Sequence, residues 1–254
     1  MSDLARRSLS GIVMIAVAAS ALWLGGLAFW LLAVAAAMLM MAEWSELHGV
    51  DAKTKRIGQL AISVPLAIMA PIAAGPSFLA LGFVVGAAFF IAATTKRGEL
   101  GWGAIYVGLP VLALLLLRAQ PEGLVLAFWA MALVWATDIG AYAAGRSIGG
   151  PKLAPRISPN KTWAGLIGGI VAATVFAFAM HVWAGLPFRL VMATPVLAML
   201  SQAGDLYESW LKRRAGVKDS GSLLPGHGGV LDRLDGLVPV APVAALLVEL
   251  PKWL

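Results

Sequence analysis

The 254-residue chain contains no cysteine. This absence excludes disulfide bonds, thiolate catalysis, thioether-linked haem and any metal site built on cysteine. Charge is also scarce: 13% of the residues are charged, whereas a soluble domain carries about 25%. Hydrophobic residues make up 60% of the chain, and the mean hydropathy is +0.86. Because such a chain would expose large apolar patches in water, the composition predicts an integral membrane protein.

The formal net charge of +6 is compatible with binding to nucleic acid. Lys and Arg are scattered between apolar segments, however, and this pattern is typical of membrane topology and contact with anionic lipid. We therefore expect a lipid bilayer and no nucleic acid as partner. The first residues resemble a signal peptide, with basic residues followed by an apolar run. We favour a retained first helix, because a second apolar segment follows almost at once.

The apolar runs predict an all-α, polytopic fold with about nine transmembrane helices in a single membrane domain, residues 1–254. Residues 1–123 would form N-terminal helices without a motif, and residues 124–254 the half that carries the candidate functional residues. The predicted spans are Leu9–Leu24, Leu27–Ala42, Ile57–Ala74, Phe78–Ala93, Trp102–Leu117, Leu124–Ala144, Trp163–Trp183, Leu190–Leu211 and Leu237–Leu254.

The basic residues predict the orientation. If the N-terminus is cytoplasmic, all Lys and Arg fall on the inside except Arg118, Arg189 and Lys252. This asymmetry predicts a multi-pass protein of the inner (cytoplasmic) membrane whose polar loops face the cytoplasm. The same rule gives Lys212 and Arg213 two interpretations: they hold a phosphate, or they mark the cytoplasmic end of the eighth helix.

Two aspartates fall inside predicted spans. Asp138 and Asp205 each come about 15 residues after their helix enters from the outer side, which corresponds to a depth near 22 Å at about 1.5 Å per residue. A carboxylate in a membrane is costly unless it is paired, neutralised or metal-bound, so both residues are functional candidates. The alternative is a hydrogen bond near the membrane surface.

Further acids flank the loop between the eighth and ninth helices. Glu208 shares a helix face with Asp205, and Asp232 and Asp235 have the same spacing after the loop. If the two helices pack side by side, the four carboxylates converge at one level and repel each other. A divalent cation would relieve this repulsion. Oxygen ligands favour Mg²⁺ over zinc, for which His227 is the only histidine nearby.

The loop itself combines glycines with charged residues. Gly226, Gly228 and Gly229 surround His227 and would allow a phosphate to approach the backbone closely. The alternative is a flexible turn between helices. Lys212, Arg213 and Lys218 before the glycines, and the acids after them, favour a site for a phosphate together with a metal.

A second basic segment precedes the seventh helix. Ser158 and Pro159 fit the N-cap and the first turn of that helix. Asn160, Lys161 and Thr162 would then lie at its positive end, which is a natural anion site. The alternative is ordinary helix capping combined with topology-determining charge.

The segment "SWLKRRAGVKDSGSLLPGHGGVLDRLD", Ser209–Asp235, resembles the signature of the phosphatidate cytidylyltransferases (CDP-diacylglycerol synthases). Ser, Lys-Arg, Lys-Asp, His-Gly-Gly and Asp-Arg-x-Asp all stand at the spacings of that signature. The upstream stretch "WATDIGAYAAGRSIGGPKLAPRISPNKTWAG" is similar to a second region of the family. Together the two regions cover about the last half of the chain.

The resemblance implies that CTP and phosphatidic acid react to CDP-diacylglycerol and pyrophosphate, with Mg²⁺ required. Two metal sites are expected, and a monovalent cation and a homodimer are left open. The expected catalytic residues are Asp205, Asp232, Lys218 and His227. The expected substrate-binding residues are Lys161, Ser158, Asn160, Thr162, Lys212, Arg213, Asp219, Gly226, Gly228, Gly229 and Arg233. The expected metal ligands are Asp205 and Asp232, with Asp235, Glu208 and Asp138 as outer or second-metal ligands.

Three other functions compete with this one. Acids within the membrane also suit an ion-coupled transporter, but no internal repeat is visible and the polar residues cluster on the cytoplasmic side. A CDP-alcohol phosphotransferase has related substrates, but its Asp-Gly-x-x-Ala-Arg pattern does not occur in this sequence. A purely structural membrane scaffold would not explain the acids.

Overall fold

The computed structural model describes residues 3–222 and 228–250, with side chains described from residue 11 onward. Ten helices and one hairpin make up this part of the chain. The helices are α1 (Asp3–Leu24), α2 (Gly26–Leu47), α3 (Ala52–Ile68), α4 (Phe78–Thr95), α5 (Gly98–Arg118), α6 (Gly123–Ser147), α7 (Trp163–Ala184), α8 (Phe188–Arg214), α9 (Leu231–Leu234) and α10 (Leu237–Glu249). The strands β1 (Lys152–Ala154) and β2 (Ser158–Thr162) lie between α6 and α7.

Each of the nine predicted spans overlaps one of these helices, and the short α9 is the additional one. The last predicted span extends to Leu254, beyond the described residues. Within the described ranges, five helices are long and apolar enough to cross a membrane: α2, α4, α5, α6 and α7. The protein is therefore a mostly helical membrane protein.

Helix α5 forms the centre of the bundle. It packs against α2, α4 and α10, and about two thirds of its residues are buried. Large apolar side chains on the outer helices point away from the core; Trp183 is 85% exposed and Phe178 53% exposed. Apolar side chains on the outside and a packed interior are what a bundle surrounded by lipid requires.

Helices α6 and α7 form the most extensive helix pair and support the site described below. Small residues allow their close approach. A Cβ atom on Gly140 of α6 would lie 2.6 Å from the carbonyl oxygen of Gly168 on α7, so no larger residue fits there. Close packing through small residues is typical of membrane helices.

The hairpin corrects two predictions, the all-α fold and the cap of α7. Ser158 and Pro159 belong to β2, and the N-cap is Thr162, whose hydroxyl accepts from the amide of Gly165 at 3.0 Å. A residue before proline favours extended backbone, so Ser158 is suited to a strand. The pairing of Ala154 with Ser158 and of Lys152 with Thr162 then holds the segment in the hairpin.

Candidate active site

A polar cavity of about 580 Å³ lies between α6, α7, α8 and the end of β2. Apart from Gly145, Gly165, Ala141 and Leu166, polar and charged side chains line it. These are Asp138, Tyr142, Arg146, Asn160, Lys161, Thr162, Gln202 and Asp205. Five of these eight residues, Asp138, Asn160, Lys161, Thr162 and Asp205, were predicted from the sequence. The hairpin brings Asn160, Lys161 and Thr162 to the helices that carry the two acids.

The ammonium group of Lys161 is bound within this cavity. Its Nζ atom lies 2.7 Å from Oδ2 of Asp205 and 3.0 Å from Oε1 of Gln202. The amide of Gln202 donates in turn to Oδ1 of Asp138 at 3.2 Å. The two acids predicted inside the membrane thus share one network with a cation.

Asp235 lies next to this network, just before α10. Burial raises its pKa, and the charges of Asp205 and Asp138 add to the effect, so that the pKa is about 7 despite a hydrogen bond from the Gly236 amide. The charges of these three carboxylates therefore act on one another. The sequence predicted a different set, in which Asp205, Glu208, Asp232 and Asp235 converge. Oxygen-only ligands of this kind fit Mg²⁺. In the described part of the chain, no three acidic or histidine side chains already surround one point as metal ligands would.

Asp232 has a different environment. Its side chain is 4% exposed. Oδ2 accepts from the amides of Ser220 and Gly229 at 2.9 and 2.7 Å, and the Ser220 hydroxyl lies 3.0 Å away. Oδ1 accepts from Lys212 at 2.6 Å. Burial opposes ionisation, but these hydrogen bonds outweigh it and lower the pKa of Asp232. The carboxylate thus ties the two arms of the loop together.

Glu208 and Lys212 complete this second cluster. Glu208 is fully buried, and its Oε2 lies 2.5 Å from Nζ of Lys212. Lys212 is 13% exposed and bridges Glu208 to Asp232. Within the described residues, Oε1 of Glu208 has no hydrogen-bond partner. The four acids around the loop therefore form two groups: Asp205 and Asp235 near the cavity, and Glu208 and Asp232 on Lys212.

The loop glycines make room for protein carboxylates in this structure. Gly228 has a φ of +81°, and a Cβ atom there would lie 2.6 Å from Oδ2 of Asp232. A Cβ atom on Gly229 would lie 2.5 Å from Oε2 of Glu43. The sequence suggested that a phosphate approaches the backbone of these glycines closely. In this structure the carboxylates of Asp232 and Glu43 do so.

Other predicted residues lie at the surface or outside the described ranges. Four of them are exposed side chains on or beside the loop: Arg213, Lys218, Asp219 and Arg233. Ser158 is half-buried in β2 but does not line the cavity. Gly226 and His227 fall in the undescribed stretch 223–227.

Glu43 is a buried acid that the sequence interpretation missed. It lies on α2, in the half of the chain without a motif, and is 5% exposed. The second predicted span ended at Ala42, which placed Glu43 just outside the membrane. The helix continues to Leu47, so the rule applied to Asp138, an acid within an apolar helix, would have identified Glu43 as well.

Tyr142, Arg146 and Gln202 were also missed, although they line the cavity. Arg146 donates to the hydroxyl of Tyr142 at 2.8 Å, and its guanidinium lies 5.9 Å from the centre of the same ring. Both side chains are exposed. Their positions, four residues apart near the end of α6 and following Asp138, were a signal in the sequence, since such residues share a helix face.

A cytidylyltransferase family profile matches residues 5–250. The chain belongs to this family. A phosphatidate cytidylyltransferase of Brucella suis biovar 1 is 42% identical over 255 residues, which cover 97% of this chain and 93% of that protein. One of Pseudomonas aeruginosa is 34% identical over 269 residues, covering 98% of each. One of Bacillus subtilis is 45% identical over 157 residues, covering 60% of this chain and 58% of that protein.

The extent of the match to the cytidylyltransferases matters for the site. It begins at residue 5 and includes α1 to α5, for which the sequence offered no motif. Glu43, on α2, therefore lies within the matched region. The family resemblance of the last half of the chain extends to the whole bundle.

Proposed function

We propose that the protein transfers the cytidylyl group of CTP to phosphatidic acid, which gives CDP-diacylglycerol and pyrophosphate for phospholipid synthesis. The observation that carries this proposal is the match to the cytidylyltransferase family over residues 5–250. Relatives named phosphatidate cytidylyltransferase that align along nearly the whole chain identify the lipid substrate.

The polar cavity supports this function because of its position and its charge. It lies among helices of a membrane bundle, so a lipid can bring its phosphate to the cavity while its acyl chains stay in the bilayer. Arg146 and Lys161 provide cations for phosphate oxygens. Carboxylates on the same wall suit a nucleotide that binds as a complex with a divalent cation.

The reaction requires no nucleophilic side chain. An oxygen of the lipid phosphate forms a bond to the α-phosphorus of CTP, the bond from that phosphorus to the bridging oxygen breaks, and pyrophosphate leaves with the electron pair. Catalysis then consists of positioning the two phosphates and offsetting their charge. In this scheme Lys161 leaves Asp205 to contact a phosphate, and Arg146 binds a second phosphate at the cavity edge.

Mg²⁺ is part of the proposal. Asp205 and Asp138, which line the cavity, would hold it together with Asp235, whose charge acts on both of them. When bound, Mg²⁺ would neutralise the triphosphate and polarise the α-phosphorus. Asp232 and Glu208 are bound to Lys212 and would support the loop in this arrangement.

We also propose the nine-span topology with a cytoplasmic site. Contacts between helix ends agree with an up-and-down arrangement. Arg118 donates to the carbonyl of Leu22 at 2.8 Å, at ends predicted to lie outside. Arg97 donates to the carbonyl of His48 at 3.4 Å, at ends predicted to lie inside. Because the chain has no cysteine, single cysteines placed in each loop and labelled in intact cells with an impermeant maleimide test the orientation.

The activity is tested with purified protein in detergent, CTP, phosphatidic acid and Mg²⁺. We expect CDP-diacylglycerol and pyrophosphate in equal amounts. Asp205→Asn should reduce turnover by about a hundredfold, since it removes a charge from the cavity. Asp51→Asn is the matched control, because Asp51 is exposed and caps α3.

The outcomes separate the assignments. Wild-type protein that forms no CDP-diacylglycerol, or that accumulates a solute in sealed vesicles instead, would contradict the proposed function. Near wild-type turnover of Asp205→Asn at saturating Mg²⁺ would contradict only the role given to Asp205.

A further inference from the structure

Glu43 connects the N-terminal half of the protein to the loop that carries Asp232. Its Oε1 accepts from the amide of Val230 at 2.8 Å, and its Oε2 accepts from the amide of Leu231 at 2.8 Å. The hydroxyl of Ser220 lies 3.0 Å from Oε2. One carboxylate on α2 thus contacts both arms of the loop, before and after the undescribed stretch.

Ser220 extends this connection to Asp232. Its hydroxyl oxygen lies 3.0 Å from Oε2 of Glu43 and 3.0 Å from Oδ2 of Asp232. Ser220 is 5% exposed, so water does not compete freely for these contacts. Any shift of Glu43 would therefore move the groups that hold Asp232, and through Asp232 the ammonium of Lys212.

Two glycines of the surrounding backbone leave the space that this carboxylate occupies. A Cβ atom on Gly221 would lie 2.9 Å from Oε1 of Glu43, and one on Gly229 would lie 2.5 Å from Oε2. Two amides and a hydroxyl point at Glu43, and all three can donate. A glutamine of the same shape offers one acceptor oxygen and turns an NH₂ group toward a donor.

We propose that Glu43 is a positioning residue for the loop beside the active site: it holds Ser220 and the Val230–Leu231 backbone, and thereby keeps the carboxylate of Asp232 in place on Lys212. The residue acts through Ser220 and Asp232 and does not touch substrate. The expected effect on turnover rests on the proposed cytidylyl transfer. The contacts by which Glu43 positions the loop do not depend on that activity.

Two variants of α2 separate this role from a general loss of charge. Glu43→Gln keeps the size of the side chain and removes one acceptor. Glu46→Gln makes the same change one turn away, where Glu46 is half-exposed and paired with Lys55. We expect Glu43→Gln to lower kcat by about tenfold or more, as misplacement of an active-site segment does, and Glu46→Gln to leave it unchanged.

The position of the loop can be measured without any activity. Val230 is 9% exposed and the chain has no cysteine, so Val230→Cys gives a single, protected thiol. We expect a maleimide in detergent to label this thiol about tenfold faster when Glu43→Gln is added, and at an unchanged rate when Glu46→Gln is added. Wild-type protein inactive on CTP and phosphatidic acid would refute the proposed function and leave this measurement intact.

Three results would overturn the role of Glu43. The first is unchanged labelling, which would show that Glu43 does not hold the loop. The second is faster labelling with unchanged kcat, which would show that the loop position does not affect the reaction. The third is an unchanged kcat of Ser220→Ala. This variant keeps both amide contacts of Glu43, and it replaces Glu43→Gln as the test if Glu43→Gln does not fold. It should lower kcat about threefold or more, and an unchanged kcat would overturn the proposal.

Discussion

Lys212 provides the sharpest test of how charge is arranged beneath the loop. Its ammonium lies 2.5 Å from Glu208 and 2.6 Å from Asp232, whose side chains are 0% and 4% exposed. Lys212→Met would leave both carboxylates buried without a cation. Breaking a buried ion pair in this way costs about 3–5 kcal/mol. At about 2–4 °C per kcal/mol for a domain of this size, the melting temperature should fall by about 6–20 °C.

Glu208→Gln should have a much smaller effect on stability. It removes one of two negative charges that share a single ammonium, and it leaves Lys212 paired with Asp232. We expect the stability to change by about 1 kcal/mol or less, because no charge loses its partner. Lys55→Met is the matched control for Lys212→Met. Lys55 and Glu46 form an exposed pair, worth about 0–1 kcal/mol.

The assay combines thermal unfolding in detergent with steady-state kinetics for both substrates. The sequence interpretation, in which Lys212 holds a phosphate, predicts a raised KM and an unchanged melting temperature for Lys212→Met. That result would refute the buried bridge. Strong destabilisation by Glu208→Gln, with little effect of Lys212→Met, would refute the charge balance worked out above.

Three further predictions concern the cavity, the loop and the metal. Lys161→Ala should raise the KM of one phosphate substrate by about tenfold, and the exposed Lys152→Ala should not; unchanged KM values for both substrates would limit Lys161 to neutralising Asp205. Gly228→Ala should cost about 1–2 kcal/mol or more and lower kcat, because φ is +81° and the methyl group meets Asp232. Gly216→Ala, with a φ of +73° and open space, isolates the backbone strain from that contact. Removal of divalent cations with EDTA should abolish turnover, and added Mg²⁺ should restore it; full activity in EDTA would contradict the metal proposal.

The positions of the helices were largely predictable. Membrane helices need long apolar runs because the backbone must satisfy its own hydrogen bonds in lipid, and this requirement is visible in the sequence. The nine predicted spans each overlap a helix. The hairpin was not predicted, because β1 and β2 are short and polar. Each strand is held by its pairing with the other and not by a hydrophobic pattern in its own sequence. Ser158 before Pro159 was nevertheless a signal for extended backbone.

The sequence indicated which acidic and basic residues belong to the candidate site. It indicated less well which of these residues pair with one another. Acids in apolar helices are costly, so Asp138 and Asp205 were identified from their positions alone. A basic residue at a helix end fits several roles, and Lys212 was interpreted as a phosphate ligand. Its binding to Glu208 and Asp232 depends on how α8 and the loop pack.

By itself, the sequence determined a membrane bundle of helices, a signature of the cytidylyltransferases and the candidate acids and bases of the site. These follow from composition and from local spacing. Only the tertiary structure decided which of these groups neutralise each other. It paired Asp205 with Lys161, and Glu208 and Asp232 with Lys212, and it brought Glu43 to a loop 177 residues away. Pairing across the bundle depends on the packing of distant helices, and a buried carboxylate takes its partners from whatever donors that packing presents.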